Sequence, residues 1–147
     1  MKRSQTMSVK HLDHLNMTVK NLEESVQWYG NVFGFKKVEE GDGKFGRWAI
    51  LRSGDAILCL YESPRVHSLD ETGRLEHNRH GVNHFGFRIL DREVWEQTVA
   101  EHGVDVRYEG RVEWPHSVSW YVVDPTGHEI EVVLWDEDMV RFAPVAA

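Results

Sequence analysis

Two kinds of hydrophobic spacing follow one another along the chain, and the same succession occurs twice. Within Val9 to Val19, apolar residues at Leu15, Met17 and Val19 recur at every second position, the period of a half-buried strand. Asn21 then offers a capping side chain with Glu24 three residues on, which predicts a helix running to about Phe33 and stopping at Gly34. Three more strands are expected at Phe35 to Glu40, Phe45 to Leu51 and Ala56 to Tyr61, parted by the turn signals Gly41-Asp42-Gly43 and Ser53-Gly54-Asp55. The second succession opens with a strand over Val82 to Ile89. A helix capped by Asp91 runs from there to His102, ahead of Gly103. Val104 to Glu109 is a strand, and Ser117 to Val123 pairs with Glu129 to Trp135 around Asp124-Pro125-Thr126-Gly127.

An offset of 70 lays Leu12-Asp13-His14-Leu15 on Val82-Asn83-His84-Phe85 and Asn21 on Asp91. One residue less lays Gly34 on Gly103 and Glu40-Gly41 on Glu109-Gly110. A duplication of this length is a fold signal, because two βαβββ units can complete one cupped mixed sheet. The expectation is an α+β fold with residues 1–147 as a single domain and modules over 9–61 and 80–136. Residues 62–79, polar and charged with one proline, read as a linker or lid loop.

Composition narrows the classes without naming a function. The 147 residues suit one domain, and 41% hydrophobic with 28% charged residues is ordinary globular composition. A net charge of −7 speaks against a nucleic-acid partner, which needs clustered positive charge. No apolar run approaches the roughly 20 residues that span a bilayer, so no membrane partner is expected. No apolar stretch follows the charged first residues, so no signal peptide is read and the cytoplasm is the expected compartment. A single cysteine, Cys59, excludes an internal disulfide. Nine histidines are what direct attention to metal or proton chemistry.

A lone histidine on a strand is more often a surface or hydrogen-bonded residue than a ligand, and His11, His67, His77, His80, His102 and His128 are read so. His14 and His84 stand apart because they occupy the same place in the two repeats. Glu131 lies in the last strand, four residues past Gly127. Two imidazoles and a carboxylate suit Fe(II), Mn(II), Zn(II) or Ni(II), and three protein ligands leave positions open for substrate. The spacing alone leaves Glu131 equally readable as a solvated edge carboxylate. Trp48 and Trp120 occupy similar places in the two units and are candidate walls of an aromatic substrate pocket, with core packing as the alternative.

Three stretches carry a resemblance. Asp13-His14-Leu15-Asn16-Met17-Thr18-Val19 with Phe33-Gly34-Phe35, then Asn83-His84-Phe85-Gly86-Phe87, then Tyr121-Val122-Val123-Asp124-Pro125-Thr126-Gly127-His128-Glu129-Ile130-Glu131 resemble the vicinal oxygen chelate superfamily of glyoxalases, bleomycin resistance proteins and extradiol dioxygenases. The resemblance spans about residues 9 to 136. It implies a metal-dependent enzyme with one divalent ion per site, held by His14, His84 and Glu131, acting on a small molecule with neighbouring oxygens. It implies a homodimer as well. Glyoxalase I uses a further oxygen ligand in the last strand of the first module. That position here is Cys59, or Leu58 if the gap is placed differently, and its character shifts the expectation toward dioxygenase-like chemistry. Cys59 is then read as a structural residue beside the substrate pocket. Tyr121 stands where relatives hydrogen-bond the substrate, and His116 is a candidate proton shuttle. Glyoxalase-like isomerisation, fosfomycin-type thiol transfer and metal-free, bleomycin-type ligand binding remain as alternatives.

Overall fold

The computed structural model describes residues 10–44, 46–65 and 82–138. The elements run β1 (Leu15–Val19), α1 (Leu22–Phe33), β2 (Lys36–Gly43), β3 (Gly46–Ser53), β4 (Ala56–Glu62), β5 (Phe85–Arg88), α2 (Arg92–His102), β6 (Val106–Trp114), β7 (Ser117–Val123) and β8 (Glu129–Trp135). This is the βαβββ succession twice over. Both helices begin where the capping residues predict: Asn21 accepts a hydrogen bond from the Glu24 amide, and Asp91 from the Val94 amide. Both end on a left-handed glycine, Gly34 and Gly103. Most of the expected loop over 62–79 lies outside the described residues. Glu62 itself extends β4, and its carboxylate accepts from the Leu22 amide at 2.8 Å, a second anchor for the start of α1.

Each module makes one mixed four-stranded sheet, in the orders β1-β4-β3-β2 and β5-β8-β7-β6. The opening strand pairs in parallel with the closing one, Leu15 opposite Leu58 in the first module and Phe85 opposite Ile130 in the second. Among the described residues the two sheets share no strand ladder, so β1 and β5 are both edge strands. The one cupped sheet expected from the sequence is observed, among the described residues, as two separate four-stranded sheets.

Helix-covered faces of the two sheets meet in one core. Met17, Val19, Leu51, Leu58 and Leu60 enter it from the first module, and Trp95, Trp120, Val122, Ile130 and Val132 from the second. At the seam Phe33 stacks on Trp95 with centroids 5.5 Å apart and meets Phe87 edge-on at 4.9 Å. Asp124 is the polar counterpart of that seam. Its Oδ1 accepts from the amides of Thr126, Gly127 and His128, while Oδ2 accepts from the buried Tyr29 hydroxyl of α1 at 2.9 Å. The Asp-Pro-Thr-Gly turn thus fixes the start of β8 and ties it to the first module. With these faces turned inward, no other described element covers the opposite face of each sheet.

Candidate functional site

Period-two alternation decides which side chains reach the open face of the second sheet. In β8, Ile130 and Val132 point into the core, so Glu129 and Glu131 point the other way. In β7, Ser119 and Tyr121 share that open face, with Tyr121 directly opposite Glu131. His84 precedes β5 and leans over the pair of carboxylates. Its Nε2 lies 3.1 Å from Glu131 Oε2, and its Nδ1 lies 3.7 Å from Glu129 Oε1. The Ser119 hydroxyl donates to Glu131 Oε1 at 2.7 Å, which leaves Oε2 directed at the imidazole. The Tyr121 ring meets His84 edge-on at 5.7 Å and Tyr108 at 5.2 Å, so aromatic rings flank the His84–Glu131 pair. Burial and the nearby Glu131 carboxylate push the Tyr121 phenol up to about 12, which keeps it a hydrogen-bond donor at neutral pH.

The other predicted residues fall in different places. His14 precedes β1 on the first module, exposed, with its Nδ1 2.7 Å from Asp13 Oδ2. Among the described residues no three His, Cys, Asp or Glu side chains gather around one point. The imidazole of His84 separates Glu129 from Glu131, so those three do not converge either. The structure therefore brings together His84 and Glu131 and leaves His14 apart from them within the chain. Cys59 lies opposite Asn16 on the open face of the first sheet, half-buried. Burial raises its thiol, with the Asp13 charge adding to the effect, so it is a poor thiolate ligand.

Two expectations need correction. Trp120 is a core residue, 5% exposed and edge-on to Trp95, because β7 places it opposite Val132 and thus on the helix-covered face. Trp48 lies opposite Tyr61, one step out of phase with Trp120, and so faces the open side. His116 sits in the turn before β7, five residues of extended chain, roughly 17 Å, from Tyr121 along the strand. It is not beside the His84–Glu131 pair.

Sequence reasoning missed Glu129, Arg107 and Tyr108. The parity of Glu129 with Glu131 was available as a signal, since both flank the apolar Ile130. Tyr108 carried none. It reaches the site because β6 changes register between Val106 and Arg111, where Tyr108 and Glu109 adopt φ of 55° and 60°.

A family model described as the Glyoxalase/Bleomycin resistance protein/Dioxygenase superfamily matches residues 11–132, and the chain belongs to that superfamily. It is 30% identical over 127 residues to a catechol-2,3-dioxygenase of Bacillus subtilis, across 83% of this chain but only 40% of that protein. It is 24% identical to the glutathione transferase FosA of Serratia marcescens, across 84% of this chain and 80% of that one. Its fold superposes with a TM-score of 0.65 on the fosfomycin resistance protein FosX of Listeria monocytogenes complexed with Mn(II) and sulfate, at 18% identity, covering 87% of this chain and 92% of that one. No helix among the described residues is long and apolar enough to cross a membrane.

Proposed function

We propose that this superfamily member is one subunit of a metal-dependent enzyme that grips two neighbouring oxygens of a small aromatic substrate, with ring-cleaving dioxygenation as the favoured reaction. The observation that carries the reading is the convergence of His84 Nε2 and Glu131 Oε2, 3.1 Å apart on an open sheet face with two phenols beside them. An imidazole nitrogen and a carboxylate oxygen fit a borderline or hard divalent ion. Held by His84, Glu131 and a His14, such an ion (Fe(II), Mn(II), Zn(II) or Ni(II)) would supply Lewis-acid polarisation of the substrate oxygens. Ser119 fixes which oxygen of Glu131 faces His84, and the protonated Tyr121, whose hydroxyl bonds Glu131, would turn to donate to a substrate oxygen and orient the ring.

The third ligand is the reason for proposing a homodimer. β1 and β5 are edge strands, and His14 and His84 stand immediately ahead of them. A second copy that lays its β1 beside β5 brings a His14 toward His84, and the two-fold operation covers both edges of both chains.

Charge supports the choice of substrate. The three arginines of the second sheet already face carboxylates: Arg88 meets Asp138, Arg107 meets Glu129, and Arg111 meets Glu113. Residues 82–138 contain no lysine. A phosphonate would find its cations occupied there, whereas a catechol-like phenol needs hydrogen bonds and aromatic walls. The second reading is thiol transfer of the fosfomycin type. It is favoured by the fold shared with the Mn(II)-bound fosfomycin resistance protein and by the similarity to FosA over 84% of this chain.

The test is untagged purification without air, followed by elemental analysis. About one iron per chain with oxygen uptake on catechols supports dioxygenation. Manganese with glutathione consumption on fosfomycin supports the transferase instead. A protein that takes up no ion even after each is added back overturns both and leaves non-catalytic ligand binding.

A further inference from the structure

Glu129 is a nine-tenths buried carboxylate that the proposed chemistry does not use. Burying a charge is costly unless partners compensate for it, so its surroundings ask what it is for. Three side chains meet it. The Tyr108 hydroxyl donates to Oε2 at 3.3 Å, the Arg107 guanidinium lies 3.5 Å from the same oxygen, and His84 Nδ1 lies 3.7 Å from Oε1. Oε2 is thus engaged by the β6 bulge while Oε1 faces the imidazole. Two consecutive non-glycine residues in the left-handed region, Tyr108 and Glu109, shape that bulge, so strained backbone helps deliver the Tyr108 hydroxyl to this carboxylate.

We infer that Glu129 is a positioning residue for His84: its buried carboxylate faces Nδ1 at 3.7 Å and by electrostatic attraction favours the tautomer and orientation of the imidazole that present Nε2 beside Glu131. The inference rests on the metal reading above, but it concerns a residue that touches neither ion nor substrate. The parallel register supports it, because Phe85 lies opposite Ile130 and the residues one step earlier are His84 and Glu129. The two ring nitrogens therefore face two different carboxylates, Nε2 toward Glu131 and Nδ1 toward Glu129. A histidine ligand whose second nitrogen is held by a carboxylate is more basic and less free to rotate, and loss of such a support typically weakens metal binding about 10- to 100-fold. Arg107 and Tyr108 act one step further back by holding the carboxylate.

The experiment compares wild type, Glu129→Gln and His84→Gln as full chains labelled with 15N at histidine. Zn(II) and Mn(II) affinities are titrated, and the His84 ring resonances, assigned by their loss in His84→Gln, are recorded with and without Zn(II). Glu129→Gln is expected to bind Zn(II) about 10- to 100-fold more weakly and to move the His84 Nδ1 resonance in the metal-free protein. The ring signature separates orientation from simple loss of a charge or of folding. Unchanged affinity and an unmoved Nδ1 resonance, in a wild type that binds Zn(II) through His84, would overturn the positioning role and leave the metal reading standing. A wild type that binds neither ion overturns the metal reading, and the contact is then judged on the metal-free Nδ1 resonance alone.

Discussion

His14 and His84 are counterparts in a duplicated module, yet their neighbourhoods differ in kind. Register makes the comparison residue by residue. Leu15 opposite Leu58 corresponds to Phe85 opposite Ile130, so Ile57 and Cys59 of β4 stand where β8 carries Glu129 and Glu131. Ile50 opposite Cys59 likewise stands for Tyr121 opposite Glu131. The second module surrounds its histidine with two carboxylates, a serine and a phenol, whereas the first sets its histidine beside Asp13 and a sheet face of Ile50, Ile57 and Cys59. The closing turns differ in the same sense. Before β8 stands Asp124 with four hydrogen bonds, and before β4 a tight Gly54-Asp55 turn whose Gly54 carbonyl accepts from Arg52. One backbone plan therefore hosts a half-site with two carboxylates on its open face and a half-site whose matching strand positions, Ile57 and Cys59, carry none. Alternation fixes which positions face the opening, and the residues placed there fix the chemistry.

The comparison can be broken most severely at the proposed ligands. Alanine at His84 or at Glu131 is expected to reduce divalent-metal affinity beyond the roughly 10- to 100-fold typical of a supporting residue, and equilibrium dialysis reads this directly. Retained stoichiometric metal in both variants would remove the distinction between the modules. Asp124→Ala attacks the seam. It leaves the Tyr29 hydroxyl and three amides without their acceptor, and a loss of about 3 kcal/mol in denaturant unfolding is expected. An equivalent change at Asp55, which is exposed, is expected to cost less than about 0.5 kcal/mol.

Cys59→Glu sharpens the comparison by giving the first module the carboxylate its counterpart strand has. If the two half-sites meet across a dimer, metal affinity should rise about tenfold, in keeping with one more favourable charge near the ion. Unchanged affinity would show that the first module's face lies away from the ion. The smallest effect is expected in alkali. Burial, reinforced by the Asp124 charge, raises the Tyr29 hydroxyl well above its usual value of 10.0, so the folded state holds this proton more tightly than the unfolded chain. Its contribution is complete below about pH 10 and falls away as pH rises through the folded value. Tyr29→Phe should therefore lose less stability than wild type as pH rises above about 10, although it starts from a lower value.

The helices were readable to the residue, because Asn21, Asp91, Gly34 and Gly103 act through local hydrogen bonds and local φ, which neighbours in sequence supply. The edges of strands were less so. The strand expected within Val9 to Val19 runs over Leu15–Val19, and Val9 lies outside the described residues. The strand expected over Val104 to Glu109 runs instead over Val106–Trp114, through a bulge that Gly110 marks but whose left-handed residues, Tyr108 and Glu109, no local signal announces. Trp48 and Trp120 show the limit of matching by sequence offset. A slip of one residue in aligning two strands reverses the face, and only the ladder reveals which is in phase.

The sequence by itself determined the duplicated βαβββ order, the caps, the apolar positions of the core and the residue types able to hold a metal, since each follows from short-range periodicity or side-chain chemistry. Only the tertiary structure decided that His84 and Glu131, 47 residues apart in sequence, approach to 3.1 Å while His14 stands elsewhere, and that Glu129 is buried against the same imidazole. The parallel pairing of β5 with β8 brings those residues together, and a parallel pair is closed by a connection too long for local sequence to specify.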